Sequence, residues 1–80
     1  MYYVYLIRSI KFPETTYVGY TTNINTRLAT HNSGGSIHTQ KDIPWELVMC
    51  MAFKNMNCAK QFESYLKSQS GRAFTRKRFW

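Results

Sequence analysis

Two stretches of the chain are continuously apolar, YYVYLI at residues 2–7 and LVMCMAF at 47–53, and both are rich in β-branched and aromatic residues. Runs of this length predict strands. The first, Tyr2 to Arg8, lacks the alternation of a half-exposed strand, which puts it in the middle of a sheet with both faces covered. SIKFPET, with Pro13, reads as a loop, and Thr16 to Tyr20 as a second strand forming a hairpin with the first. Gly19 lets the backbone come close to another group. Thr22 or Asn23 can cap a helix that runs to about Asn32 and stops at SGGS, where Gly34 and Gly35 are the usual terminators. Residues 33–44 read as a mobile polar loop closed by Pro44, and Trp45 to Phe53 as the third strand. Asn57 caps a second helix through about Gln69, and Gly71 separates it from a basic tail, RAFTRKRFW. The predicted class is α/β in the α+β sense: a small three-stranded antiparallel sheet flanked by two or three helices, in the order β-β-α-β-α.

Periodicity also sorts the polar residues. At about 100° per residue, Ile24, Arg27, Leu28 and His31 share one face of the first helix. Arg27 and His31 therefore lie with the apolar stripe, pointing over the sheet edge toward the strand of Tyr17. The plainer alternative is a snorkelling arginine stem and a structural histidine. In the second helix Cys58, Ala59, Phe62, Tyr65 and Leu66 form the stripe. Glu63 sits on its margin, with an i to i+4 ion pair to Lys67 as its plainer explanation.

Eighty residues make one small domain, spanning 1–80, with a marginal core. Neither apolar run approaches the roughly 20 residues that cross a bilayer, and the start lacks a signal peptide's basic segment, so a cytoplasmic protein without membrane contact is expected. Cys50 and Cys58 have no metal-ligand spacing. Charge changes the picture most: 11 Lys+Arg against 4 Asp+Glu give a formal net charge of +7, which points to a polyanionic partner. The carboxylates are Glu14, Asp42, Glu46 and Glu63. They are too scattered for a two-metal cluster, so any metal chemistry must use one carboxylate and one ion. In the tail, Arg72, Arg76, Lys77 and Arg78 alternate with aromatics, a composition suited to phosphates and unpaired bases. Alternatively, Phe74, Phe79 and Trp80 pack on the core and only the cations face water.

YVY at 3–5, TYVGYTTNINTRLATHN, HNSGG with PWELV, and a later helical glutamate together resemble the GIY-YIG nuclease superfamily, with small bacterial members and the Slx-type and UvrC nuclease domains nearest. The resemblance covers nearly the whole chain. It implies a phosphodiesterase acting on DNA, branched or single-stranded substrates included. By it Tyr5 belongs to the first motif, Tyr17 and Gly19 to the second, Arg27 and His31 to the helix, and Glu63 holds one Mg²⁺ or Mn²⁺. Tyr17 is then the general base, Tyr5 orients water or phosphate, Arg27 grips a phosphate oxygen, and His31 shares proton transfer or hydrogen-bonds a tyrosine. Gly19, Lys67, Arg72, Arg76, Lys77 and Arg78 are the candidate DNA contacts. Tyr3 stands where the family name has glycine, and valines stand at 4 and 18 in place of isoleucine. A silent nucleic-acid-binding module of the same fold is the competing reading, and a basic interaction protein a third.

Overall fold

The structure, a computed structural model, describes residues 1–79. β1 (Tyr2–Ser9), β2 (Thr16–Thr21) and β3 (Trp45–Phe53) form an antiparallel sheet in the order β2-β1-β3. The most apolar strand is thus the central one, as its unbroken hydrophobic run predicts. Val4, Tyr5, Leu6 and Ile7 are at most 1% exposed, which requires cover on both faces. β1 and β2 make the predicted hairpin, with Tyr5 opposite Gly19 and Ile7 opposite Tyr17. On its other side the β1–β3 ladder shifts between Leu6 and Ile7, where Val48 is the extra residue of a bulge.

Side chains alternate between the faces of a strand, and the two faces have different cover. α1 (Ile24–Asn32) lies over Tyr5, Ile7 and Tyr17; Ile24 and Leu28 pack there, and Trp45 closes the cluster. α2 (Met56–Lys67) covers the other face, with Ala59, Phe62 and Leu66 against Val4, Val18, Tyr20 and Met49. The α+β class and the strand and helix order follow the sequence reading, with a third helix at the end. Among the described residues no helix is long and apolar enough to cross a membrane.

Local chemistry explains where the helices start. The Asn23 side chain accepts from the Thr26 amide at 3.0 Å, which caps α1. The cap of α2 is Asn55 and not Asn57: its side chain accepts from the amides of Asn57 and Cys58 at 2.7 and 3.2 Å. Asn55 has the extended backbone a cap needs, whereas Asn57 already lies inside the helix. Cys58, in the first turn, is exposed, so the buried stripe of α2 narrows to Ala59, Leu66 and the half-buried Phe62.

The basic tail is a helix, α3 (Gln69–Arg78), which the sequence reading left unstructured because Gly71 resembles a terminator. Gly71 serves close packing instead. A Cβ there would collide with the Tyr65 carbonyl and the Leu66 backbone, so only glycine lets α3 turn tightly off the end of α2. Ser68 joins the two helices: its hydroxyl donates to the Tyr65 carbonyl and accepts from the Gly71 amide. Phe53, Phe62, Tyr65, Phe74 and Phe79 then follow one another ring to ring at 5.6, 6.4, 6.3 and 6.0 Å. These separations are those of interacting aromatic pairs. Phe74 and Phe79 thus serve packing, while the cations of α3 are exposed; Trp80 lies outside the described residues.

The loop at 33–44 is also pinned, contrary to the mobile segment the sequence suggested. It contains a 3₁₀ turn, Gln40–Asp42, and the fully buried Thr39. Its end is fastened to α1 by Asn32, whose Oδ1 accepts from the Trp45 amide and whose Nδ2 donates to the Trp45 carbonyl at 3.1 Å.

The close approach at Gly71 makes a testable demand. Gly71→Ala should destabilise the protein by at least the upper end of the about 1–3 kcal/mol typical of overpacking, because the obstacles are backbone atoms that cannot rotate away. Urea denaturation checks this; an unchanged midpoint would show that α3 is not seated on α2.

Candidate active site

The site is built outward from Tyr5. Its side chain crosses Gly19, its partner on β2, and a Cβ at Gly19 would fall on the phenol. The room this glycine leaves is therefore filled by the protein's own ring and not by a phosphate, which corrects the reason for expecting Gly19 in the DNA contact. Beyond Gly19 the Tyr5 hydroxyl meets His31 Nε2 at 2.8 Å, and His31 Nδ1 meets Thr39 Oγ1 at 2.7 Å. Tyr5, His31 and Thr39 are 1%, 2% and 0% exposed. The Trp45 indole N–H donates to the Thr39 carbonyl at 2.9 Å. A neutral imidazole has one donor and one acceptor, so the chain runs in a single direction, either from Tyr5 to Thr39 or from Thr39 to Tyr5.

Tyr17, two residues from Gly19 on the same face, packs against both partners; its ring lies 6.5 Å from that of Tyr5 and 5.2 Å from that of His31. It is only half-buried and so more accessible than Tyr5. Arg27, read from the sequence as lying with the apolar stripe of α1, is exposed, and one guanidinium nitrogen donates to the Tyr20 carbonyl on the edge strand at 3.3 Å. Burial holds the Tyr5 phenol above its ordinary pKa. A hydrogen-bonding influence of Arg27 opposes this, Tyr17 adds to it, and the charges of Arg27 and Glu63 act in opposite directions. Tyr17 of β2 and His31 of α1 thus meet one phenol of β1. His31 is held below its ordinary pKa, first by burial and then by the Arg27 charge.

Glu63 stands on α2, which covers the other face of the sheet. Its side chain is 22% exposed, and Lys67 Nζ lies 3.0 Å from its Oε2, the i to i+4 pair expected from the sequence. Among the described residues no three His, Cys, Asp or Glu gather into a metal cage. The donor set suits a hard ion that keeps several waters and takes one carboxylate, which fits Mg²⁺ or Mn²⁺ and not zinc. Of the predicted DNA contacts, Lys67, Arg72 and Arg76 line one groove beside Tyr17, whereas Lys77 and Arg78 are exposed outside it.

Sequence reasoning missed two residues. Thr39 left no signal, since a threonine in a polar loop does not announce burial. Asn32 was visible in the HN pair but not as the clamp on Trp45.

The structure is a small α+β domain in which Tyr5, Tyr17 and His31 gather on one face of the sheet, with Arg27 bonded to the adjoining edge strand. The chain belongs to the GIY-YIG family: the profile of the GIY-YIG catalytic domain matches residues 1–78. It is 40% identical over 74 residues to the structure-specific endonuclease subunit SLX1 of Debaryomyces hansenii, a match covering 82% of this chain and 21% of that protein. It is 39% identical over 67 residues to the UPF0213 protein YsiG of Lactococcus lactis, covering 82% and 62%. The chain thus spans about a fifth of the first relative and under two thirds of the second. A solution structure of the UPF0213 protein BH0048 from Bacillus halodurans superposes with a TM-score of 0.57 at 32% identity, covering 96% of this chain and 82% of that one.

The buried histidine sets a pH dependence. With its folded pKa depressed, His31 contributes stability that is complete above about pH 6.5 and declines as pH falls from there toward the folded value, because the unfolded chain takes up the proton first. Urea midpoints should therefore drop between pH 7 and pH 5. His31→Gln should flatten that drop; a slope unaltered by this substitution would locate the proton uptake elsewhere.

Proposed function

We propose that the chain is an endonuclease that hydrolyses DNA phosphodiester bonds with one divalent ion and a tyrosine general base. The observation that supports this best is the packing of Tyr17 from β2 and His31 from α1 against the Tyr5 phenol, with Arg27 bonded at the adjoining edge strand. Family membership and the likeness to an SLX1 endonuclease subunit point the same way. A domain that only bound DNA would need the cations but not this grouping.

The reaction demands a base for the attacking water, positive charge where the phosphate oxygens gain negative charge, and relief for the leaving oxygen. Tyr17 is the base, being more accessible than Tyr5 and next to it. Tyr5, which burial keeps protonated, orients water or phosphate, and His31 fixes the direction of its hydroxyl. Arg27 keeps guanidinium hydrogens free for a non-bridging phosphate oxygen, since one of its nitrogens suffices for the Tyr20 carbonyl. Glu63 would hold Mg²⁺ or Mn²⁺, with Lys67 withdrawing from it. When bound, the ion supplies charge to the phosphate and the leaving oxygen. Lys67, Arg72, Arg76, Lys77 and Arg78 hold flanking phosphates, and substrate is selected by shape more than by sequence.

Incubation with supercoiled plasmid, branched DNA and single strands, each with Mg²⁺, Mn²⁺ or EDTA, tests the reading directly. Cleavage in the metal-containing reactions alone is expected; DNA binding without cleavage under every condition would favour the silent module.

Two substitutions separate the roles. Tyr17→Phe should keep the fold and lose about 10²–10⁴-fold in rate, the usual worth of a general base, with Tyr5→Phe affected less. A Tyr17→Phe protein as fast as the parent would move the base elsewhere.

Glu63→Gln should fold normally, since it gives up only an exposed helix pair worth about 0.3–0.5 kcal/mol, yet cleave no faster than the parent in EDTA. Arg27→Ala should lose about 10²–10³-fold, as for other donors to transition-state charge, while metal affinity measured without DNA stays constant.

A further inference from the structure

Tyr5, His31 and Thr39 are joined by two links, yet two hydroxyls and one neutral imidazole bring three hydrogens to them. One hydrogen is therefore left over. If Tyr5 donates to His31 Nε2, then Nδ1–H donates to Thr39 Oγ1 and the spare hydrogen belongs to Thr39. If Thr39 donates to Nδ1, then Nε2–H donates to the Tyr5 oxygen and the spare hydrogen belongs to Tyr5. The two ends differ in what they can offer it. Thr39 is 0% exposed, and among the described residues its hydroxyl has no partner besides His31 Nδ1. Trp45, itself 3% exposed, closes that end and is bonded to the Thr39 carbonyl. A spare hydrogen there stays unsatisfied, the unfavourable state of a buried donor. The Tyr5 hydroxyl instead lies against Gly19 on the edge strand β2, where there is no side chain, and its ring packs beside the half-buried Tyr17. An oxygen bound at that edge can take the hydrogen. The phenol is the more acidic hydroxyl, which by itself favours the opposite run. That preference is a difference between two bonds that are both made, whereas the hydrogen stranded at Thr39 is a bond missing altogether.

We infer that Thr39 is a positioning residue whose hydroxyl donates to His31 Nδ1, holds the imidazole as the Nε2–H tautomer, and so frees the Tyr5 hydrogen for an oxygen of the bound substrate. Donation from Nε2–H also polarises the phenol, because hydrogen bonds in a run strengthen one another. Both imidazole nitrogens are then occupied, so His31 takes no proton from water and acts only through Tyr5. That the receiving oxygen is one of a DNA phosphate rests on the nuclease reading; the direction of the run does not.

The direction is read from two-bond proton–nitrogen correlation spectra of isotope-labelled protein, without DNA or metal and above about pH 7, where the lowered pKa keeps His31 neutral. His38→Gln removes the signals of the one other histidine. Nε2 should show the shift of a protonated imidazole nitrogen and Nδ1 that of an unprotonated one; the reverse pattern, or two averaged shifts, overturns the inference. Thr39→Val keeps the shape and loses the hydroxyl, whereas Thr39→Ser keeps the hydroxyl and loses the methyl group. The two nitrogen shifts should approach each other in the valine protein and hold their parental values in the serine protein. A residue that only filled space would give the opposite order, and that result, or parental shifts in the valine protein, refutes the role. On DNA, Thr39→Val should lose about 10–100-fold in rate, the loss typical when the partner that orients a ligating histidine is removed, with Thr39→Ser near the parent. A valine protein as fast as the parent would show that the freed hydrogen does not serve the substrate. Should the valine protein fail to fold by circular dichroism, the spectra of the parent and the serine protein decide. Were no substrate cleaved by the parent, the spectra would still decide the tautomer, and only the nuclease reading would fall.

Discussion

A tyrosine hydroxyl on the central strand of a sheet covered on both faces must find a partner, since an unsatisfied buried polar group costs about 1–3 kcal/mol. The phenol of Tyr5 is in that position, and much of the molecule follows from how it is satisfied. Its way out leads over the one cross-strand neighbour that has no side chain, Gly19, to His31 on α1. His31 then requires a partner for its second nitrogen and takes Thr39, which draws the loop at 33–44 into the core. The carbonyl of Thr39 receives the indole of Trp45 at the start of β3. One strand, one helix, one loop and a second strand are thereby fixed by a line of hydrogen bonds that leaves no buried side-chain polar atom unpartnered among the described residues.

The same line separates two tyrosines that the sequence treats alike. Tyr5 is the buried phenol, held by burial above its ordinary pKa, with its hydroxyl bonded to His31. Tyr17 shares the face and the aromatic contacts but keeps access to the edge of β2. α1 and α2 cover opposite faces of the sheet, with Arg27 on the first helix and Glu63 on the second.

The second face contributes by geometry more than by hydrogen bonds. Gly71 lets α3 fold back against the end of α2, and the aromatic succession from Phe53 to Phe79 ties both helices to β3. The cations of the tail are thereby carried on a helix seated against α2. Arg72 and Arg76 line one groove with Lys67, and Lys67 is paired with Glu63.

Patterns along the chain determined the three strands, the hairpin, the central place of β1, the face of α1 that carries Arg27 and His31, and the marginal position of Glu63. Each follows from a local period or run of residues, because a strand or helix converts sequence spacing directly into direction. The family motif likewise singled out Tyr5, Tyr17 and His31, which the structure brings into contact. Other features depended on pairs of atoms far apart in sequence. Gly71 looks like a stop signal until the Tyr65 carbonyl is set against it, and Gly19 looks like room for a ligand until the Tyr5 ring fills it. Thr39 is one polar residue among many until His31 and Trp45 close around it. The choice of Asn55 over Asn57 turned on which of the two had an extended backbone. Periodicity says which way a side chain points, but what it meets there is decided by the packing of another element, and only the tertiary structure holds that information.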